Sequence, residues 1–128
     1  MNITAIVAED DEINLRLFSE LLELNGIIVL DKIKNGKNAV ISFESYNPDV
    51  VFLDVMMPEF DGIYALEHIR KKDSSAKVIM VTADTSEETE QLLEKLKPSA
   101  VVHKPYDIAT ILHVLENNLQ LEISSKED

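Results

Sequence analysis

Short apolar runs alternate along the chain with longer stretches in which apolar residues recur every three or four positions. The short runs predict five β-strands, at 3–8, 27–33, 49–54, 77–83 and 99–104. The longer stretches predict five amphipathic helices, at 12–26, 36–46, 60–71, 85–96 and 107–121. Regular alternation of strand and helix is typical of an α/β domain.

The central predicted strands are almost continuous in valine, isoleucine, leucine and methionine. DVVFLD (49–54) and KVIMVTA (77–83) lack the alternation of a strand with one face in water. Such runs are typical of parallel strands that helices cover on both faces. With right-handed crossovers between them, we expect a doubly wound, five-stranded parallel sheet flanked by five helices.

Each predicted helix has one apolar face that should pack on the sheet. In the first helix this face comprises Leu15, Phe18, Leu21 and Leu22, and Gly26 is expected to end the helix as a C′ glycine. The inward positions of the other four helices are predicted to be Ala39, Val40, Phe43, Ile63, Leu66, Ile69, Leu92, Leu93, Leu96, Ile108, Ile111, Leu112, Leu115 and Leu119.

The length of 128 residues suits one domain with a substantial core. We predict a domain over residues 1–122 and a polar C-terminal tail, ISSKED, over 123–128. The chain has no cysteine, which excludes disulfides, thiolate catalysis and cysteine-ligated metal sites.

The net charge of −12 limits the classes of partner. Such a surface repels nucleic-acid phosphates and anionic lipid, so we predict no direct nucleic-acid binding, no membrane association and a protein partner. No apolar stretch approaches the roughly 20 residues of a membrane span. The N-terminus also lacks the features of a signal peptide, which predicts a cytoplasmic protein.

Polar side chains occur where four of the predicted strands end. They are Glu9, Asp10 and Asp11 at the end of the first strand, Asp54 at the end of the third, Thr82 at the end of the fourth and Lys104 at the end of the fifth. Ligands of doubly wound sheets bind at the carboxyl ends of the strands. These groups are therefore expected to converge on one rim.

An acidic rim of this kind suits a hard cation and phosphoryl chemistry. Mg²⁺ is bound in proteins by one or two carboxylates, waters and phosphate oxygens, and Asp10 and Asp54 with a backbone carbonyl would supply such ligands. Asp54 is then a candidate nucleophile towards phosphorus. Lys104 could neutralise phosphoryl oxygens and Thr82 could donate a hydrogen bond to them.

Each of these residues also has a purely structural interpretation. The three consecutive acids could cap the following helix, Asp54 could be a turn residue, and Lys104 could be a solvated surface lysine. Their joint occurrence at strand ends favours a shared site. Met57 is predicted to fill the core.

Four motifs along the chain resemble those of the receiver domains of two-component response regulators, including the single-domain chemotaxis regulators. They are IVAEDDEIN (6–14), VVFLDVMMPEFDG (50–62), VIMVTAD (78–84) and VVHKPY (101–106). Their order and spacing match the family over the whole chain. The resemblance implies a flavodoxin-like fold with strand order 2-1-3-4-5.

The resemblance also implies roles for the site residues. Asp54 matches the phosphoacceptor, which receives its phosphoryl group from a histidine kinase or a histidine phosphotransfer protein. Mg²⁺ would be held by Asp10, by Glu9 through water, by Asp54 and by the backbone carbonyl of Met56. Thr82 matches the residue whose hydroxyl binds the phosphoryl group. Lys104 matches the phosphate-binding lysine, and the bond to the following Pro105 is expected to be cis. Asp11 would lie behind the acidic pair.

The resemblance further implies a signalling protein that catalyses only its own phosphorylation and dephosphorylation. An unknown downstream target would bind the face formed by residues 84–121. Met56 and Asp84 would flank the path of the water that removes the phosphoryl group.

Two positions depart from the common pattern of the family. Val101 occupies a position that is often aromatic, so an aromatic side chain cannot report phosphorylation there. Glu9 replaces the commoner aspartate and lengthens that carboxylate arm by one methylene.

Two other classes of function fit the sequence less well. A phosphatase of the aspartyl-phosphate type usually has a second aspartate two residues after its nucleophile and a cap domain. Here that position is Met56, and the chain is too short for a cap. A pseudo-receiver that serves only as a scaffold is disfavoured because no member of the site is missing.

Overall fold

A computed structural model describes residues 2–121 of the chain, in which strands and helices alternate as the hydrophobic pattern predicts. The strands are β1 (Thr4–Ala8), β2 (Ile28–Ile33), β3 (Val50–Asp54), β4 (Val78–Thr82) and β5 (Ala100–His103). The helices are α1 (Glu12–Leu24), α2 (Gly36–Tyr46), α3 (Gly62–Lys72), α4 (Glu87–Leu96) and α5 (Ile108–His113), and a π-helical turn, Val114–Asn118, continues α5. The predicted tail, 123–128, lies outside the described residues.

All five strands are parallel and lie in the order β2-β1-β3-β4-β5, which confirms the predicted fold. The strand order reverses between β1 and β3, so their carboxyl ends border the crevice where such folds bind ligands. Ala8 pairs with Leu53 in this register. Glu9 directly follows Ala8, and Asp54 directly follows Leu53. The two acids therefore lie side by side at the carboxyl edge of the sheet.

The core consists of two layers, one on each face of the sheet. Ile6, Leu53 and Met80 pack with α2, α3 and α4 on one face. The alternate strand residues, such as Phe52 and Ile79, pack with α1 and α5 on the other. Because successive side chains of a strand point to opposite faces, a continuous apolar run is what a sheet covered on both faces requires.

The predicted inward faces of two helices were partly wrong. Leu21 is 38% exposed and Leu92 is 40% exposed, although both lie next to a buried leucine. A helix that packs on a sheet buries only one stripe, and in α1 the stripe includes Ser19, whose hydroxyl donates to the carbonyl of Leu15. Four further predicted positions are only half-buried: Ile63, Leu96, Ile108 and Leu112.

Every helix from α1 to α5 begins after a polar N-cap residue. The caps are Asp11, Asn35, Asp61, Ser86 and Asp107, and each accepts a hydrogen bond from the backbone N–H three residues later. These bonds satisfy N–H groups that have no partner within the helix. They explain why α3 begins at residue 62 rather than 60 and α4 at 87 rather than 85.

The first helix ends two residues earlier than predicted, at Leu24, with Asn25 as its C-cap. Gly26 follows with a φ of 85°, the left-handed conformation expected for a C′ glycine. None of the described helices is long and apolar enough to cross a bilayer.

Candidate functional site

The predicted site residues converge at the carboxyl ends of β1, β3, β4 and β5. Glu9 and Asp54 are both buried, at 7% and 8% exposure, whereas Asp10 is exposed. One oxygen from each of these three carboxylates lies within 4.8 Å of the other two. A cluster of oxygen donors of this size fits a hard divalent cation.

Lys104 reaches from the end of β5 to the carboxylates at the ends of β1 and β3. Its Nζ donates to Asp54 Oδ2 at 2.7 Å and to Glu9 Oε1 at 2.9 Å. The backbone N–H of Lys104 donates to the carbonyl of Thr82, which anchors the residue to β4. The Lys104–Pro105 bond is cis, as the resemblance implies.

The second oxygen of Asp54 faces the loop that follows β3. Asp54 Oδ1 accepts a hydrogen bond from the backbone N–H of Met56 at 3.1 Å. The side chain of Met56 is exposed, while that of Met57 is buried, as predicted. The loop therefore keeps the backbone of Met56 beside the carboxylate. The assignment of the Met56 carbonyl as a metal ligand stays a prediction.

Burial and neighbouring charges both shift the pKa values of the ionisable groups at the site. Burial raises the pKa of Glu9 to about 7, with a further contribution from the neighbouring Asp54 and an opposing one from Lys104. Burial by itself lowers the pKa of Lys104, but hydrogen bonds to Asp54 and Glu9 outweigh it and leave the pKa raised. The lysine is therefore a fixed cation between two carboxylates.

The raised pKa of Glu9 predicts a loss of stability with rising pH in metal-free buffer. The unfolded chain releases the Glu9 proton near pH 4.5, whereas the folded protein keeps it to about pH 7. Between these values the folded state binds more protons, so the free energy of unfolding falls as the pH rises. Urea unfolding of the wild type and Glu9→Gln at pH 5 and pH 8 measures this effect. From pH 5 to pH 8 the free energy of unfolding should fall more in the wild type than in Glu9→Gln. An equal change in both proteins would contradict the prediction.

Thr82 lies fully buried at the end of β4. Its Oγ1 accepts a hydrogen bond from the backbone N–H of Asp84 at 2.8 Å. The carboxylate of Asp84 binds the first turn of α4, through the hydroxyl of Thr89 and the backbone N–H of Ser86. Asp84 also lines a surface groove with Asp10 and Met56. Its expected influence on the attacking water stays a prediction.

Asp11 serves as the N-cap of α1, which agrees with the structural interpretation of the acid run for that residue. Its carboxylate accepts from the backbone N–H of Asn14 at 2.9 Å. Its own N–H lies 3.4 Å from Glu9 Oε2. Asp11 therefore connects the start of α1 to the acidic cluster, behind Glu9.

Two features of the site were not identified from the sequence. Gly62 packs directly against the backbone carbonyl of Asp54, so closely that a Cβ atom would collide with its oxygen. Tyr106 lines a small cavity together with Glu9, Asp54 and Lys104, and its ring meets Phe18 edge-to-face with 5.2 Å between the ring centroids. An aspartate directly before Gly62 is a typical helix cap, but no local pattern indicates the contact of Gly62 with Asp54.

Val101 lies on the edge strand β5 with 36% of its surface exposed. Its side chain is short and β-branched, and it lies at the surface of the sheet edge rather than in the core.

The chain is similar to one protein family and to several proteins of known name. The family model described as the response regulator receiver domain matches residues 5–116. The regulatory protein AtoC of Escherichia coli is 36% identical over 98% of this chain, which spans 27% of the length of that relative. The chemotaxis protein CheY of Halobacterium salinarum is 30% identical, over 89% of this chain and 94% of its own length.

A solved structure shows the same architecture. A chain of the CheX–CheY–BeF₃–Mg²⁺ complex of Borrelia burgdorferi superposes with a TM-score of 0.85 and 25% sequence identity. The superposition covers 94% of this chain and 90% of that one.

Proposed function

Since this chain belongs to the family of response regulator receiver domains, we propose that it is a signalling switch in which Asp54 accepts a phosphoryl group. The observation that carries the proposal is the arrangement around Asp54. Its carboxylate lies at the crevice between β1 and β3, beside two further acids and 2.7 Å from the ammonium of Lys104. A nucleophile, a cation and a potential metal site are thus combined in one place.

In the proposed reaction a carboxylate oxygen of Asp54 attacks the phosphorus of a phosphohistidine. A P–O bond forms, the P–N bond breaks, and its electron pair goes to the imidazole nitrogen. Lys104 then transfers its hydrogen bonds from the carboxylates to the new phosphoryl oxygens, and the hydroxyl of Thr82 donates a hydrogen bond to another of them. Phosphoryl transfer needs chiefly such positioning and charge neutralisation.

Mg²⁺ is the proposed cofactor, held by Asp10 and Asp54, by the backbone carbonyl of Met56, and by Glu9 through water. When bound, it would neutralise the phosphoryl oxygens and relieve the repulsion among the carboxylates. The close approach of three carboxylates supports this assignment, because among residues 2–121 Lys104 is the only salt-bridge partner of Glu9 and Asp54.

We further propose the partners that this reaction requires. The donor is a histidine kinase or a histidine phosphotransfer protein, and the output is a change in the face over residues 84–121, where a downstream protein binds. The net charge of −12 supports a protein partner rather than nucleic acid. The chain would act on itself and not as an enzyme with a separate substrate.

Labelling with a small phosphodonor tests the proposal directly. Acetyl phosphate with Mg²⁺ should add one phosphoryl group to the wild type, as detected by intact mass, and EDTA should prevent it. Asp54→Asn should remain unmodified. Asp61→Asn is the matched control, because Asp61 is a nearby aspartate whose carboxylate accepts the Tyr64 N–H and caps α3, a bond that asparagine can keep. Equal labelling of Asp54→Asn and the wild type would refute the assignment of the acceptor.

Mg²⁺ is expected to raise the thermal stability of the wild type. A ligand that binds only the folded state, at ten times its Kd, adds about 1.4 kcal/mol. In a domain of this size that corresponds to about 5 °C in the midpoint. Thermal unfolding with and without Mg²⁺ measures the shift. Asp10→Asn should reduce it and Asp61→Asn should not, and an undiminished shift in Asp10→Asn would place the metal elsewhere.

A further inference from the structure

A chain of hydrogen bonds connects Thr82, at the end of β4, to the first turn of α4. The backbone N–H of Asp84 donates to Thr82 Oγ1 at 2.8 Å. The carboxylate of Asp84 accepts from the hydroxyl of Thr89 at 2.6 Å and from the backbone N–H of Ser86 at 2.9 Å. Residue 84 is therefore held at both its backbone and its side chain.

The first of these bonds determines how the hydroxyl of Thr82 can act. A threonine hydroxyl has one proton and two acceptor lone pairs. One lone pair accepts the N–H of Asp84, so the proton remains available for donation. Because Thr82 is fully buried, the direction of this proton depends on the protein groups around it. While the Asp84 N–H stays in place, its bond occupies one lone pair of Oγ1 and directs the hydroxyl proton away from Asp84.

The bonds of the Asp84 carboxylate are what fix that N–H. Residues 83–86 form no helix or strand, so no regular hydrogen-bond ladder holds them. Thr89 is 8% exposed and forms part of the first turn of α4. The hydrogen bonds from Thr89 and Ser86 lower the pKa of Asp84 and keep the carboxylate ionised at neutral pH. The loop is thus tied to the helix by a charged acceptor.

We propose that Asp84 and Thr89 form a latch that aims the hydroxyl of Thr82 at the phosphoryl group on Asp54. For the phosphorylation step, Asp84 is then a positioning residue, which acts through Thr82. The inference deepens the proposed function, on which it rests. It also connects the site to α4 through polar bonds, a route that needs no aromatic residue at position 101.

The rate of labelling by acetyl phosphate at saturating Mg²⁺ tests the latch. Asp84→Ala should label about tenfold more slowly, since misplacing a reacting group by 1 Å can cost about a hundredfold. Loss of a negative charge beside an acidic site would instead accelerate labelling by an anionic donor, so the sign separates the two effects. Thr89→Val should also slow labelling, and Thr89→Ser, which keeps the hydroxyl, should restore the rate.

Asp73→Ala is the matched control for Asp84→Ala. The carboxylate of Asp73 also accepts one backbone N–H, at 2.9 Å, and one hydroxyl, at 2.7 Å, both from Ser75. It lies before the amino end of β4, at the opposite edge of the sheet from the site. Both variants should lower the urea midpoint to a similar extent, but only Asp84→Ala should slow labelling. A comparable slowing in Asp73→Ala would overturn the latch.

The same substitution in a Thr82→Ala background shows whether Asp84 acts through the hydroxyl. Once the hydroxyl is removed, Asp84→Ala should have no further effect on the labelling rate. A tenfold slowing that persists in this background would assign Asp84 a direct role in the reaction and overturn the proposal.

A measurement on the unphosphorylated protein keeps the latch testable without the reaction. The χ1 angle of Thr82 sets where Oγ1 lies, so loss of the latch should change it. Three-bond NMR couplings should show the same χ1 rotamer in the wild type and in Asp73→Ala, and a different or averaged rotamer in Asp84→Ala. If the wild type is not labelled at all, the proposed function fails, whereas the couplings still decide the latch. A single unchanged rotamer in Asp84→Ala would overturn it.

Discussion

Lys104→Met is expected to slow the phosphorylation of Asp54 about a hundredfold or more. Removing one preorganised group that stabilises developing charge commonly costs two to three orders of magnitude, or about 3–4 kcal/mol. Lys104 is the cation closest to Asp54 among the described residues, at 2.7 Å. Methionine preserves much of the aliphatic stem, so the variant removes the charge with little change in packing. The rate of acetyl phosphate labelling at saturating Mg²⁺ measures the effect.

The same variant should lose stability, and the loss should depend on pH. Without the ammonium, Glu9 and Asp54 face each other in a buried position. Breaking a fully buried ion pair costs about 3–5 kcal/mol; because the side chain of Lys104 is 27% exposed, we expect about 2 kcal/mol at pH 8. At pH 5 Glu9 is protonated, since its pKa is raised to about 7, and the loss should be smaller.

Lys34→Met provides the matched control for both measurements. Lys34 pairs with Glu12 at 3.3 Å, but the two side chains are 54% and 82% exposed. Exposed pairs contribute little, so its free energy of unfolding should change by less than about 1 kcal/mol at either pH. Its labelling rate should equal that of the wild type. If Lys104→Met also labels at the wild-type rate, the role proposed for the lysine is wrong.

Gly62→Ala is expected to destabilise the protein by about 3 kcal/mol, the upper end of the range for overpacking. A Cβ atom at this position would collide with the backbone carbonyl of Asp54 and press on the backbone of Val55. Neither can move aside as a flexible side chain could. Urea unfolding gives the magnitude, and a slower labelling rate should accompany it because the collision displaces the acceptor itself.

Helix propensity alone predicts the opposite sign for this substitution. Gly62 is the first residue of α3, and replacing glycine by alanine within a helix gains up to about 1 kcal/mol. A variant more stable than the wild type would therefore show that the contact with Asp54 is not rigid. Gly26→Ala is a useful comparison: its φ of 85° imposes a conformational cost of about 1–2 kcal/mol without any effect on the site.

The absence of an aromatic ring at position 101 affects how phosphorylation could be transmitted. Val101 is stiff at χ1 and too short to fill a space vacated by Thr82. The bonds from Thr82 through Asp84 to Thr89 offer an alternative route from β4 to α4. A backbone shift of this loop is therefore the movement that we expect phosphorylation of Asp54 to produce.

The sequence by itself determined the architecture and the composition of the site. Continuous apolar strands alternate with amphipathic helices, and this pattern leaves a parallel sheet covered on both faces as the stable arrangement. Since all parallel strands end on the same edge, the polar residues after them had to meet there. The sequence alone therefore predicts four neighbouring residues: Glu9, Asp54, Thr82 and Lys104. The helix-ending role of Gly26 also followed from a local rule.

Tertiary structure decided which of these groups touch and which surfaces are buried. Lys104 and Glu9 are 95 residues apart along the chain, and their 2.9 Å contact depends on strand register and crossovers. The same holds for the raised pKa of Glu9, which arises from burial and from Asp54. Periodicity describes the environment of one helix at a time, so it placed Leu21 and Leu92 inside although the sheet leaves them exposed.

The contacts of Gly62 and Asp84 show the same limit most directly. Periodicity places Gly62 in the first turn of a helix and Asp84 between a strand and a helix, and it indicates no contact for either. Their importance arises from what lies opposite them: the carbonyl of Asp54 in one case and the hydroxyls of Thr82 and Thr89 in the other. Hydrophobic periodicity and capping rules act over a few residues, whereas these distances are set only when the sheet and its helices pack together.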